Sequence, residues 1–512
     1  MATHGGEARR RYPVVRVLAA LAFVLVATLN SAGYRFGTGD QAFYLPAIQR
    51  HLEPDSFPRD RVVIDDQDRL NVFPRVAAAL VRTAHLPQPA LFLGLYLAAL
   101  ALLAWAGTAL AETLGLSGWA QAAVLAALTM KHRVGMTGAN TLEGYGHPRM
   151  LAFAIGLAAV VFVVRARPSA ALALVAAAFV VHPTTALWFA VWVGVALAVA
   201  EVRWRPWLLA GGAAAAALAA WAAAWGPLSA QLVRMDDAWL NVLEGKDYLF
   251  ATQWPASAWA IAALYVLTPA AAYGVRRRLG LTHPREHALV VGLGALAVIF
   301  FATLPLVAGR VALAVQFQVS RVFWMLDLVS IVYASWALAD GARGATRGPA
   351  ARRRALAVAV VIMLAAAARG AWVMWAEHPG RPVVQAGLPR DGWHDAMDWL
   401  RRQPASVHVL ADPAHAWRYG TSVRVAAGRD VCLEEVKDTA MAMYSRRVAV
   451  RVADRIGAIG DFTALTPASA RALAARFGLD LLVTERTMDL PLANRNARFA
   501  IYRLGPQTPP GG

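Results

Sequence analysis

Apolar segments recur along almost the whole chain, at about residues 13–31, 89–112, 117–130, 149–165, 169–181, 184–200, 206–225, 257–275, 287–308, 321–339 and 354–374. Inside a bilayer every backbone N–H and C=O must be satisfied within the protein, so runs of about 20 apolar residues become helices. The segments at 117–130, 169–181 and 184–200 are short for a span and could form one buried or re-entrant unit. Only 16% of the 512 residues are charged, against about 25% in soluble domains. The expected class is a polytopic α-helical membrane protein of about eleven spans, with a small C-terminal α/β domain outside the membrane.

The basic residues supply the orientation. Arg9 to Arg11 precede the first segment, Arg165 and Arg167 share one short loop, and Arg203 and Arg205 share another. Arg276, Arg277, Arg278 and Arg285 form a third group, and Arg343, Arg347 and Arg352 to Arg354 a fourth. With eleven spans and the N-terminus inside, every group is cytoplasmic, as the positive-inside rule requires. The C-terminal region is then extracytoplasmic. The opening run of arginines before an apolar stretch resembles a signal peptide. However, Val14 to Asn30 is long enough to span and no small-residue cleavage site closes it, so it is read as an uncleaved first helix.

The net charge of +18 follows from these loops. No basic block alternates with aromatics as a single-strand groove requires, so no nucleic-acid partner is expected. Lysine occurs only at 131, 246 and 437 among the 50 basic residues. This bias, with abundant Ala, points to a GC-rich bacterial source and hence a bacterial inner membrane. The single cysteine, Cys432, excludes an intrachain disulfide and a Cys-based zinc site, and is expected to be buried and inert.

The chain divides into a membrane domain, 1–378, and a soluble domain, 379–512. The first outer loop, 32–88, is long and polar. Its stretch 41–52 places Phe43, Leu45, Ile48 and Leu52 among polar residues, which fits a helix lying on the membrane surface, and Asn71 to Thr83 fits a second. In the soluble domain Asp391 caps a helix with Trp393, Ala396, Met397 and Leu400 on one face. Strands are expected at 407–411, 422–425, 479–484 and 498–504, with helices at 434–456 and 466–477.

Asp40 follows the first span and opens this outer loop in Gly39-Asp40-Gln41-Ala42-Phe43-Tyr44. A carboxylate there is solvated, paired or used; the plain alternative is that it ends the helix in the headgroup region. Farther on, Val181-His182-Pro183-Thr184-Thr185 forms a His-Pro turn between two short spans, and Ala475 to Glu485 reads as a terminal helix-to-strand segment. These motifs and the order of parts resemble the GT-C superfamily of membrane glycosyltransferases. That superfamily includes oligosaccharyltransferases, protein O-mannosyltransferases and aminoarabinose transferases. The chain departs from it in having Gln41 in place of the Glu of an Asp-Glu pair, and in lacking a Trp-Trp-Asp type motif in the tail.

The resemblance implies transfer of a sugar from a polyprenyl-phosphate donor to an envelope glycan, lipid or protein acceptor at the outer face. Asp40 would be the general base. Such transfer needs a base for the acceptor's proton and cations for the leaving phosphate. Arg321, Lys131, Arg133 and Arg149 are the candidate cations, with His132 beside them. Glu143, His147 and His182 are further substrate-binding candidates. The plain alternatives are snorkelling for the arginines, a Glu143–Arg149 ion pair, and helix capping by His182. No cofactor is certain. If a divalent metal takes part, Asp40, Glu143, Asp236 and Asp237 are the oxygen ligands to consider. Asp327 and Arg369, on neighbouring spans, are expected either to function or to pair with each other. A flippase or transporter of a lipid-linked intermediate, and a non-catalytic envelope scaffold, remain as alternatives.

Overall fold

The computed structural model describes residues 4–69, 71–226, 228–341 and 348–505. Arg343 and Arg347 of the fourth basic group lie outside them. Among the described residues, seven helices are long and apolar enough to cross a membrane: Gln88–Thr113, Pro183–Ala200, Val202–Ala224, Ala256–Arg278, Glu286–Ala308, Ala312–Ala339 and Pro349–Glu377. Four shorter apolar helices accompany them, at Val14–Asn30, Gly118–Thr129, Pro148–Val164 and Pro168–Val181. The protein is therefore a polytopic helical membrane protein with a small mixed α/β region at its C-terminal end.

Contacts group the chain into two units. The first comprises Met1–Tyr34, Gly94–Arg234 and Asp247–Val384. The second comprises Arg35–Leu93, Met235–Lys246 and Gln385–Gly512. The second unit thus takes in most of the first polar loop as well as the tail.

In the first unit helices approach closely at Gly156 and Gly292. A Cβ on Gly156 would fall 2.2 Å from the Phe189 ring, and one on Gly292 would fall 2.5 Å from Trp192. One arginine of the third basic group is buried: Arg276 donates to Glu286 at 2.7 Å and to the carbonyl of Leu114 at 2.6 Å. The Arg276 guanidinium thus ties two helix ends together, while Arg277 and Arg278 stay exposed. Asp327 and Arg369 do not pair with each other. Asp327 meets His132, while Arg369 donates to the Asn30 side chain and to the carbonyl of Lys131.

The second unit is built on a five-stranded sheet. Its strands are β1 (His408–Leu410), β2 (Asp430–Val431), β3 (Leu481–Thr484), β4 (Leu492–Arg495) and β5 (Ala500–Arg503), in the order β2-β1-β3-β5-β4. β1 runs parallel to β2 and β3, while β5 pairs antiparallel with β3 and β4. The helix Gly392–Arg401 is capped by Asp391 as expected, and Trp393, Ala396, Met397 and Leu400 enter the core with Val409, Leu481 and Ile501.

Some expectations for this unit change. Ser422 to Val425 is not a strand: Ser422 caps a short helix, Val423–Ala426. The helix expected over 434–456 is two helices, Glu435–Ala442 and Arg446–Ile459, because Ser445 caps the second. The helix Gln41–Leu52 forms where expected but is buried on several sides, through Gln41, Tyr44, Leu45, Ala47 and Ile48. It packs on Phe73–Thr83 and on Arg61–Asp68 within the unit. Trp393 is core and Tyr419 packs against it at 4.7 Å, whereas Trp417 is exposed.

Candidate functional site

Two polar constellations stand out, one in each unit. The first is built on the glycine-rich loop between the helices Gly118–Thr129 and Pro148–Val164. Asn140 and Arg149 both donate to Glu143 Oε1, at 3.2 and 3.3 Å. Glu143 and Arg149 are almost wholly buried, so the expected ion pair exists and is internal. The loop is fixed from two sides. The Trp324 indole donates to Thr141 Oγ1 at 3.0 Å. Gly144 lies against the end of the first helix, where a Cβ would fall 2.6 Å from the Ser31 carbonyl oxygen and 2.7 Å from that of Gly33.

His147-Pro148 and His182-Pro183 repeat one local device. In each pair the histidine is the N-cap and the proline takes the first helical position, where its missing N–H costs nothing. His147 Nδ1 accepts from the Arg149 backbone N–H at 3.0 Å. His182 Nδ1 accepts from the Thr185 N–H at 3.3 Å. The expected capping role of His182 is therefore real. An accepting Nδ1 carries no proton, so each neutral ring holds its proton on Nε2. The two rings lie 6.4 Å apart, and Tyr145 stacks on His147 at 5.8 Å.

Burial lowers the His182 pKa well below its ordinary value, and the nearness of His147, Arg321 and Arg149 lowers it further. Arg321 is itself buried, at the start of the helix Val322–Ala339. The structure thus brings together five of the sequence candidates: Glu143, Arg149, His147, His182 and Arg321. Two guanidiniums and two neutral imidazole donors against one carboxylate make a group suited to an anion.

Lys131, His132 and Arg133 take other partners. Arg133 pairs with Asp247 at 3.1 Å, and the Lys131 carbonyl receives Arg369 at 2.9 Å. His132 bonds Met130 O through Nδ1 and Asp327 Oδ2 through Nε2, both at 3.0 Å. The Met130 carbonyl can only accept, so Nδ1 carries a proton, and the Asp327 carboxylate at Nε2 favours the imidazolium form. Its pKa is raised, chiefly by the Asp327 hydrogen bond.

The second constellation surrounds Asp40. The first helix ends at Asn30, and Asp40 instead precedes Gln41–Leu52 without capping it through its side chain. Its carboxylate is part-exposed and receives Lys437 Nζ at 2.8 Å. The same ammonium lies 5.0 Å from the Phe43 ring centre. Lys246 is close enough to Lys437, Asp40 and Glu435 for their charges to act on it. Neither lysine is a candidate on sequence grounds, although the scarcity of lysine in so basic a chain is a signal that could have found them. Asp236 is paired with Arg446 at 2.6 Å in a solvent-exposed ion pair. Among the described residues no three His, Cys, Asp or Glu side chains are grouped to hold a metal.

No protein-family model matches the chain. No curated protein matches it in sequence. Among solved structures it is similar to the archaeal oligosaccharyltransferase AglB from Archaeoglobus fulgidus, in complex with an inhibitory peptide and a dolichol-phosphate. The identity is 14%, the TM-score 0.46, and the match covers 93% of this chain and 70% of that one. The apo form of the Archaeoglobus fulgidus oligosaccharyltransferase matches at 14% identity and TM-score 0.44, over 92% of this chain and 69% of that one.

Proposed function

We propose that the protein is a membrane glycosyltransferase that moves a sugar from a polyprenyl-phosphate donor to an acceptor of the bacterial cell envelope. The reaction takes place on the extracytoplasmic face of the inner membrane. The observation that carries this reading is the group of buried Arg149, Arg321 and His147 with the half-buried His182 in a highly apolar helical protein. Two buried guanidiniums suit the charge of a departing lipid phosphate, which grows in the transition state. Neutral imidazoles beside them add donors without adding charge.

Asp40 acts as the general base. It takes the proton of the acceptor hydroxyl as the oxygen attacks the anomeric carbon and the phosphate leaves, with inversion at that carbon. A base must come within about 3 Å of the oxygen it deprotonates, or act through one water. A part-exposed carboxylate outside the apolar helices meets that need. Asp40→Asn keeps the shape and removes the proton acceptor. In purified protein it should abolish transfer from a polyprenyl-phosphate sugar while expression and insertion stay normal. Full activity in that variant would refute the assignment. Arg321→Ala should weaken use of the lipid-phosphate donor far more than it lowers expression. Reporter fusions at about residue 340 and after residue 380 should report opposite sides of the membrane, since the basic loops orient the chain.

A further inference from the structure

A branched groove runs along the first helix, Val14–Asn30, away from the site described above. The helix meets Gln88–Thr113 through two polar bridges: Thr28 Oγ1 bonds the Tyr96 hydroxyl at 2.8 Å, and Arg16 bonds Glu112 at 2.7 Å. Toward the Arg16 end a cavity of about 280 Å³ opens beside Ala20, Ala104, Trp105 and Ala109. A second, of about 290 Å³, passes Phe23, Val26, Ala126 and Met363. Both share Ala19 and Leu125 with a wider cavity of about 940 Å³, so they are limbs of one groove. All of these residues belong to the first unit. Alanines on the facing helices leave the space open, and packed interiors hold few voids larger than a water molecule.

The limbs are apolar, and the wide end is basic. Arg16, Arg165 and Arg352 line the groove against two carboxylates, Glu112 and Asp340. Glu112 is shared by Arg16 and Arg165. Asp340 is held by the Ser117 N–H and hydroxyl, at 2.9 and 2.6 Å. Among the described residues no carboxylate pairs with Arg352. Arg353 and Arg354 follow it on the same helix end, and Arg354 donates to the carbonyls of Leu338 and Ala337. The wide end therefore carries surplus positive charge. Trp119 lines it too, as an amphipathic ring does at headgroup depth.

We propose that this groove binds one anionic phospholipid with two acyl chains. Its phosphate rests against Arg352 and Arg16, and one chain enters each limb. Basic pockets between membrane helices take lipid headgroups in this way. A free phosphate would meet the charge but gain nothing from the apolar limbs. A polyprenyl phosphate brings the charge on a single chain and leaves a limb empty. The lipid fastens the first helix to the bundle where its own side chains are too small to do so. This assignment is independent of the glycosyltransferase reading.

Full-length protein in neutral detergent is titrated with dioleoyl phosphatidylglycerol, and binding is read by native mass spectrometry. Dioleoyl phosphatidylcholine has the same chains without net charge, and lysophosphatidylglycerol has the same headgroup on one chain. Phosphatidylglycerol should bind at one site about tenfold more tightly than either. Arg352→Gln should weaken it about fivefold and leave phosphatidylcholine unchanged, while Arg352→Lys keeps most of the affinity. Ala20→Phe fills one limb and should weaken both two-chain lipids. Sodium phosphate should displace the lipid no more than sodium chloride of equal ionic strength.

Equal binding of phosphatidylglycerol and phosphatidylcholine would overturn the proposal. So would an equal loss in Arg278→Gln, since that exposed arginine ends another helix and the effect would then be a general attraction to basic surface. Displacement by phosphate beyond the chloride control would mean an anion site without a lipid. Lysophosphatidylglycerol binding as tightly as the two-chain lipid would discard the two limbs. A polyprenyl phosphate that bound more tightly than phosphatidylglycerol, and lost affinity in Arg352→Gln, would replace the phospholipid as occupant and overturn its assignment.

Discussion

Arg424 Nε donates to Asp60 Oδ2 at 2.7 Å, with both side chains almost completely buried and their positions 364 apart in sequence. Asp60 also accepts from the Val431 N–H at 3.0 Å and pairs with Arg451. Asp430 reaches back to the N–H groups of Arg59 and Asp60, at 3.1 and 3.0 Å. This network fastens the segment after Gln41–Leu52 to the edge of the sheet.

Removing one partner of a buried ion pair leaves a charge uncompensated, at a cost of roughly 3–5 kcal/mol. Asp60→Ala should therefore lower the melting temperature of the purified protein sharply. Burial raises the Asp60 pKa, but Arg424 and Arg451 more than offset it and hold the carboxyl well below its ordinary range. A depressed carboxyl stabilises the fold above its unfolded pKa, and the contribution is lost as pH falls through the folded value. The gap between wild type and Asp60→Asn should be full at neutral pH and narrow in strong acid. A gap independent of pH would contradict the ion pair.

Glu434 has the opposite sign. Burial pushes its pKa up to about 7, against the opposing pull of Arg424 and of the Ser422 hydroxyl. Arg424 Nη1 lies 3.7 Å away. A raised carboxyl binds its proton more tightly in the folded state. Stability therefore falls as pH rises from the unfolded value through about 7. Glu434→Gln removes the ionisation, so it should raise the melting temperature at pH about 8 and leave it almost unchanged at about 5. Thermal melts at the two pH values check this, and a variant less stable at the higher pH would contradict it.

The His132 imidazolium depends on Asp327. The raised pKa means that the pair stabilises the fold fully below the unfolded histidine value, and that this is lost as pH rises through the folded value. Asp327→Asn should move the His132 titration, followed by NMR of ring-labelled protein, to lower pH. It should also flatten the fall of stability above neutrality. An unmoved titration would mean that the contact contributes nothing.

Gly144→Ala tests the loop. Its methyl would enter the space of the Ser31 and Gly33 carbonyl oxygens, and overpacking of this kind costs about 1–3 kcal/mol. The melting temperature should fall and donor binding weaken together. Gly94→Ala, where a Cβ meets nothing within 4 Å, is the control and should change neither.

The spans were legible because lipid leaves apolarity as the main constraint on a membrane helix. The His182 cap was legible because His-Pro at a helix start is a local device. What the sequence hid was distance. Lys437 lies 397 residues from Asp40 and Arg424 lies 364 from Asp60, and neither pairing leaves a local trace. The strand expected at Ser422 to Val425 failed for a related reason. Its β-branched residues suit a strand, but the Ser422 side chain accepts from the Val425 N–H and turns the backbone into a helix. Gln41–Leu52 looked amphipathic in isolation, but its companions at 61–68 and 73–83 cover more of it than one face.

The two histidine caps carry a consequence for chemical identity. A free imidazole exchanges between two tautomers, and nothing in the residue itself chooses one. Here the starts of Pro148–Val164 and of Pro183–Ala200 are each capped by an unprotonated Nδ1, so the folded backbone favours that tautomer before any substrate arrives. Protonating either ring at Nδ1 would unfasten the start of a membrane helix in the same event that changed the charge of the site. A replacement that kept the charge but lost the cap, or the reverse, would therefore keep only half of what each histidine supplies. At both positions the backbone holds Nδ1 and thereby leaves Nε2–H as the donor.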